Sequence, residues 1–380
     1  MIDLGNDVNI ITSDSNHFAS YENFKKIYNK IKCGGLKIIC IKTFKYSKTA
    51  SIRRVLSWID FELKLFFINK NSLFEKPDVI IVSSLSLLTI LNGIILKYKY
   101  NSKLVFEVRD IWPLTLIEEG NYSRYNPLVI LLSIVEKIGY RFADLIIGTM
   151  PNLSDHVTNV LGHKNHITKC IPFGFSLKEY NSYKKTENHI FEKHKEFFNN
   201  RFIVAHVGSI GLTNGLDTFV KTIKEFNKLS SIGFVFLGDG ANKVNYKFEL
   251  KDCSNVLFFP KVEKSQVKFY IEKFDVLYFA SLKSKVWDYG WSPNKIVDYM
   301  LAGKPIIASY SGHRSMLNEA KCGDFVESEN LNQLKNKILE YSKLPANRLL
   351  KMGKNGRKWI IQNRQINKLA KDYLDLIYKM

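Results

Sequence analysis

Short apolar, β-branched runs alternate with longer stretches of helical periodicity along this chain, in two sets separated by a polar interval. In the first half, residues 8–12, 37–42, 79–83, 104–108 and 145–148 have the length and composition of buried parallel strands. Helical patterns lie between them at 52–70, 86–97 and 127–142. The uncharged run 79–96 approaches the length of a membrane span. Ser83 and Ser84 break it, and Ser86, Thr89, Asn92 and Gly93 follow, so a buried strand–helix unit is expected. Residues 178–200 are rich in Lys and Asn and lack a clear period, which predicts a linker. Beyond it come strands at 202–207, 234–237, 256–259, 276–279 and 306–308, with helices near 215–228, 265–272, 293–302 and 331–342. The pattern predicts two β/α/β domains.

The most informative stretch is 292–309. Ser292 is suited to cap a helix with its hydroxyl, and Pro293 to the first helical position, where its missing N–H costs nothing. Ile296, Val297, Met300 and Leu301 make an apolar face, with Lys295, Asp298 and Ala302 on the other side. Gly303 ends the helix before the apolar strand at 306–308. Charge narrows the partner classes. Lys and Arg outnumber Asp and Glu by 56 to 36, a net +20 that favours an anionic partner. The charge is spread and no nucleic-acid motif accompanies it, so diphosphate ligands or an acidic membrane surface are expected rather than nucleic acid. The five cysteines are scattered and never in a Cys-x-x-Cys pair, the pattern of reduced thiols rather than of disulfides or zinc. Residues 1–15 show no basic start followed by an apolar core, so no secretory signal is read there.

Segment 292–309, together with Arg109-Asp110-Ile111-Trp112-Pro113 at the end of an apolar strand, resembles the motifs of family-4 retaining glycosyltransferases. The pair is similar to the bacterial subgroup that builds O-antigen and capsule repeat units, including transferases of N-acetyl-fucosamine type. The resemblance implies a GT-B fold, two Rossmann-like β/α/β domains facing across a cleft. It divides the chain into an acceptor domain at 1–177, the linker at 178–200, a donor-nucleotide domain at 201–356 and a final helix at 357–380 that crosses back. It implies a nucleotide-sugar substrate such as a UDP-sugar, no metal, a lipid-diphosphate-linked acceptor, and a cytoplasmic enzyme peripheral on the inner face of the cytoplasmic membrane. Residues 3–12 resemble the end of the family's first helix followed by its second strand. The opening strand is then missing, and its neighbours are expected to lack an inner partner.

A retaining transfer must stabilise the leaving diphosphate, hold the sugar and present the acceptor hydroxyl. The loop 208–217 follows a strand and opens a helix, so Gly208, Gly211, Thr213 and Asn214 are donor-loop candidates. Ser209 and Asn214 stand where family members carry Arg and Lys, which moves the cationic role to Lys295 and Lys285, with Lys283 behind them. The alternatives are a solvated basic loop for Lys283 and Lys285, and an i,i+3 surface pair with Asp298 for Lys295. Ser292 and Asn294 belong to the same helix start. In the family's Glu-x7-Glu pair, Asp298 matches the second, ribose-binding acid and Gly290 the first, with Asp288 two residues earlier.

On the acceptor side Asp110 is the candidate base, Arg109 a phosphate contact, and Trp112 a packing surface for sugar or lipid; His17 is a further candidate. Asp110 and Asp298 are thus the two acids assigned to the reaction. An Arg109–Asp110 structural pair beside a half-buried Trp is the other reading of that motif. His206, flanked by apolar residues, reads as a core histidine, and no residue spacing suggests a metal cage. Residues 45–70 set Lys45, Lys48, Arg53 and Arg54 beside Trp58, Phe61, Phe66 and Phe67. That suits an anionic leaflet, or else a surface helix with its apolar side on the core. Two rival functions remain open: a sugar-nucleotide epimerase of similar architecture, and an inactive relative that binds sugar nucleotide.

Overall fold

The computed structural model describes residues 1–15, 24–46, 52–68, 74–84, 86–186, 190–229 and 231–380. The chain forms two units. The first comprises Met1–Thr149, Leu153–Ile171 and Ala370–Met380, and the second Met150–Asn152 and Pro172–Leu369.

The first unit holds two sheets. In the smaller, β1 (Asn9–Ser13), β2 (Tyr28–Cys33) and β3 (Leu36–Ile41) lie in the order β1-β3-β2. β1 and β3 are parallel, whereas β2 and β3 form an antiparallel hairpin that turns at Gly34-Gly35. The sequence pattern predicts parallel strands throughout and does not reveal β2. Asn29, Lys30 and Lys32 hide it, and the Gly-Gly turn is its one signal. The larger sheet, β4 (Val79–Ser83), β5 (Lys103–Val108), β6 (Leu145–Gly148) and β7 (Thr168–Cys170), is parallel in that order. Among the described residues β1 and β4 each leave one edge unpaired. The helices are α1 (Ile52–Phe67), α2 (Thr89–Tyr100), α3 (Leu114–Glu118), α4 (Pro127–Phe142) and α5 (Leu153–Leu161). Run 79–96 is the strand–helix unit β4–α2, and no helix among the described residues is long and apolar enough to cross a membrane. Glu136 of α4 is buried and accepts from Tyr140 Oη (3.0 Å) while lying 2.7 Å from His156 Nε2, which ties α4 to α5.

The second unit is one six-stranded parallel sheet in the order β10-β9-β8-β11-β12-β13. Its strands are β8 (Phe202–Val207), β9 (Ile232–Leu237), β10 (Val256–Phe259), β11 (Val276–Ala280), β12 (Ile306–Ser309) and β13 (Gly323–Val326). The expected linker at 178–200 is instead part of this unit. It carries α6 (Leu177–Ser182), α7 (Ile190–Lys193) and α8 (Lys195–Asn199), and Phe191, Phe197 and Phe198 pack into the core. Around the sheet follow α9 (Asp217–Phe226), α10 (Lys243–Glu249), α11 (Lys264–Ile271), α12 (Asn294–Leu301), α13 (Leu317–Ala320) and α14 (Leu331–Ser342). The helix expected at 357–380 is two helices, α15 (Ala346–Asn363) and α16 (Ile366–Ile377). Within α16, Tyr373 belongs to the first unit's core beside Val105 and Leu145.

Candidate functional site

In the second sheet the chain runs outward from β8 through β9 to β10, then returns to β11 on the other side of β8. That reversal makes the carboxyl ends of β8 and β11 the topological switch point, where open α/β sheets hold ligands. Three segments meet there: the loop after β8, the loop after β11, and the start of α12.

Gly208 and Lys295 form the centre. Gly208 has φ +131°, and a Cβ on it would stand 2.5 Å from Lys295 Cε, so the lysine stem fills the space a side chain would need. The Lys295 ammonium donates to the Ser209 carbonyl at 3.3 Å. Among the described residues no carboxylate forms an ion pair with it, so the surface pair with Asp298 does not form. Desolvation pushes its pKa down to about 8. His206 beneath it is fully buried between the carbonyls of Tyr278 and Ser209, and burial drives its pKa down to about 3, which makes it a neutral core histidine.

The remaining donor candidates divide. Asn214 Oδ1 accepts the Gly211 N–H at 3.0 Å and closes the loop on itself, which leaves Thr213 on the exposed turn Leu212–Asn214. Ser292 does not cap α12. Its hydroxyl accepts from Phe173 N (3.1 Å), because Pro293 takes the cap position and the extended backbone before it meets 172–175. Asn294 is exposed at the first turn of α12. Asp298 has its pKa raised by desolvation, with Lys264 opposing, and no hydrogen bond to its carboxylate is made among the described residues. Lys285 opens the turn Lys285–Tyr289, and Lys283 lies 3.7 Å from Glu327 on the surface.

A pocket of about 760 Å³ opens beside Gly208 at the ends of β8, β9 and β10, lined by Ser209, Asp239, Lys261 and Lys264 among others. Gly238-Asp239-Gly240 joins the site without having been expected there, although a Gly-Asp-Gly turn after an apolar strand is a usable signal. Asn152 is a second unexpected neighbour: its Nδ2 is 2.9 Å from His313 Nδ1 and its N–H donates to Tyr289 O. Gly290, at the position of the family's first acid, has φ +98°, and a Cβ there would meet Pro151 Cδ at 2.5 Å. A glutamate has no room at that place.

In the first unit Arg109, Asp110 and Trp112 stand at the carboxyl end of β5. Arg109 pairs with Glu107 (Nε–Oε1 2.6 Å) rather than with Asp110. Asp110 reaches solvent, yet desolvation raises its pKa against the pull of Arg109, and Asp110 in turn helps raise Glu119. Trp112 meets Trp58 edge-on at 6.3 Å, and Arg54 lies 4.8 Å over Trp58. His17 and Lys48 lie outside the described residues.

Residues 188–359 match the family described as glycosyl transferases group 1. No curated protein matches the sequence. Solved structures share the fold at low identity. Sucrose-phosphate synthase from Thermosynechococcus elongatus aligns with TM-score 0.71 and 16% identity over 100% of this chain and 90% of that one. An E. coli trehalose-6-phosphate structure bound with UDP-2-fluoro glucose gives 0.74 and 10% over 98% and 99%. Anabaena Alr3699/HepE in complex with UDP gives 0.64 and 15% over 90% and 86%.

Proposed function

From the premise of a GT-B glycosyltransferase whose second unit carries the group 1 domain, we propose a retaining enzyme of bacterial surface-polysaccharide assembly. It moves a sugar, an N-acetylated deoxyhexose, from a nucleoside diphosphate to a lipid-diphosphate-linked saccharide of O-antigen or capsule type. It works in the cytoplasm, peripheral on the inner face of the cytoplasmic membrane.

The carrying observation is Lys295, a desolvated ammonium without a carboxylate partner among the described residues, held over Gly208 at the switch point. Such a cation suits a leaving diphosphate, whose charge grows as the glycosidic bond breaks. The reading assigns that neutralisation to Lys295 and Lys285 rather than to a metal, with the Thr213 hydroxyl as a further donor, since the Gly211 and Gly208 N–H groups already donate to Asn214 Oδ1 and Leu237 O and these two glycines contribute space rather than hydrogen bonds. Asp298 takes the ribose hydroxyls. The relatives Alr3699/HepE and the E. coli structure bind UDP, UDP-glucose or UDP-2-fluoro glucose, which supports a nucleotide-sugar donor. On the acceptor, the attacking hydroxyl bonds to the anomeric carbon on the face the diphosphate leaves, and Asp110 receives its proton. Arg109 and Trp112 hold the acceptor's phosphate and its apolar or sugar part.

Calorimetry with UDP tests the donor half. Lys295→Met is expected to weaken binding at least tenfold, and Asp298→Ala by about 1–3 kcal/mol, the scale of a charge-assisted hydrogen bond. Unchanged affinity in folded variants refutes the assignment. Gly290 pressed on Pro151 favours a second reading, an inactive sugar-nucleotide-binding relative. Nucleotide binding without transfer across a panel of lipid-linked acceptors would select it, and acceptor-free sugar epimerisation would reject both.

A further inference from the structure

Helix α1 carries apolar side chains on both its inner and its outer side. Its inward positions are Leu65, Ser57 and Glu62, all buried, and Glu62 is satisfied by Ser86, Thr89 and Asn92 of the neighbouring segment. Its outward positions are Leu56, Ile59, Leu63, Phe66 and Phe67, the last 78% exposed. Their spacing of three and four residues places them on one stripe. The alternative of a surface helix with its apolar side on the core accounts for Leu65 but leaves this outer stripe unexplained. The exposure continues onto the next helices, since α2 touches both α1 and α4. Leu91 and Ile95 of α2 are exposed, as are Leu128, Leu131 and Ile134 of α4. Exposed basic residues lie on the same helices: Arg53 at the start of α1, Lys99 at the end of α2, and Lys137 and Arg141 on α4.

We propose that the outer faces of α1, α2 and α4 form one docking surface that enters the headgroup region of an anionic phospholipid leaflet. This rests on the membrane-side reading given above and locates its surface. Exposed aliphatic side chains with exposed cations on the same helices match what a leaflet offers, an apolar layer beneath negative headgroups. A protein partner is a poorer match, because protein hot spots centre on Trp, Tyr and Arg in pockets while Leu is under-represented there. The net charge of +20 acts in the same direction.

Sedimentation with vesicles of three parts phosphatidylcholine to one part phosphatidylglycerol tests the surface. The wild type is expected to partition at least tenfold more strongly onto these than onto pure phosphatidylcholine. Leu63→Gln with Ile134→Gln is expected to lower that partition about tenfold or more, with UDP affinity in solution unchanged. Should the double variant lose its fold, Leu131→Trp provides an independent reading, its emission shifting to the blue when vesicles are added. Unshifted emission, or wild-type binding equal on both vesicle types, overturns the proposal. So does a concentration-dependent dimer without vesicles that the double variant abolishes, which would make a second copy the occupant. Transfer to a detergent-dispersed lipid acceptor without vesicle binding removes this surface and leaves the proposed reaction standing. Vesicle binding without transfer does the reverse.

Discussion

The two units spend their apolar residues differently. In the second, β9, β11 and β12 are buried at every position, and helices cover both faces of an unbroken parallel sheet. In the first, the sheet is divided, β1 and β4 are partly exposed along their lengths, and the helices carry most of the large apolar side chains that this unit exposes among its described residues. Parallel strands are ordinarily buried on both faces, so the second unit is the regular case and the first the exception. A domain that holds a small polar ligand at its switch point gains by being rigid. The proposed contact with lipid requires apolar side chains left out of the unit's own core.

The largest effect separates the units by stability. Phe219 is fully buried in the second unit and stacked 4.3 Å from Tyr278. Phe219→Ala is expected to cost about 3–5 kcal/mol, the scale of an aromatic core cavity. Ile59→Ser, an equally apolar loss on α1, is expected to change stability by no more than about 0.5 kcal/mol. Urea unfolding of both variants checks the contrast, and an equal cost would mean that α1 is a core helix after all.

The next effect separates them by chemistry. Asp110→Asn keeps the shape of the β5 end but removes a base, so transfer is expected to fall roughly 10²-fold or more. UDP affinity is expected to stay at the wild-type value, because no second-unit group is altered. Steady-state rates with UDP calorimetry read both quantities, and full activity in the variant removes Asp110 from the reaction.

How much of this was legible follows the same division. The second unit's strands can be read from residues because two-sided burial writes continuous apolar runs, as in 202–207 and 276–279. β13 escapes because it opens Gly323-Asp324, and β2 because three of its six residues are Asn or Lys. Lys295 and Asp298 share a helix face in the sequence, but which neighbour each meets is decided by folding. Lys295 turns to the Ser209 carbonyl, and Asp298 feels the charge of Lys264 without pairing with it among the described residues. Ser292 shows the limit of a capping rule, since a long-range backbone donor at Phe173 takes the hydroxyl first. The outward face of α1 is invisible to periodicity, which reports that a helix has two sides but not which one is covered.

The smallest effect is a pH dependence that a structural role and a binding role of Lys295 predict with opposite signs. Its pKa of about 8 in the folded chain lies below the ordinary lysine value of 10.5. The folded state therefore disfavours the proton. Between about pH 8 and 10.5 the unfolded chain holds a proton that the folded one has released, so this group's contribution to stability rises with pH through that window. Diphosphate binding runs the other way. A bound anion stabilises the ammonium, so the complex keeps its proton to higher pH than the free protein. UDP affinity is then expected to be flat below about pH 8 and to fall by up to tenfold per pH unit above it, about 1.4 kcal/mol, until the pKa of the complex is passed. Calorimetry from pH 6.5 to 9.5 on the wild type and Lys295→Met reads this directly. The variant is expected to bind weakly with no break near pH 8, and a break that survives the substitution would belong to another group and remove Lys295 from the diphosphate.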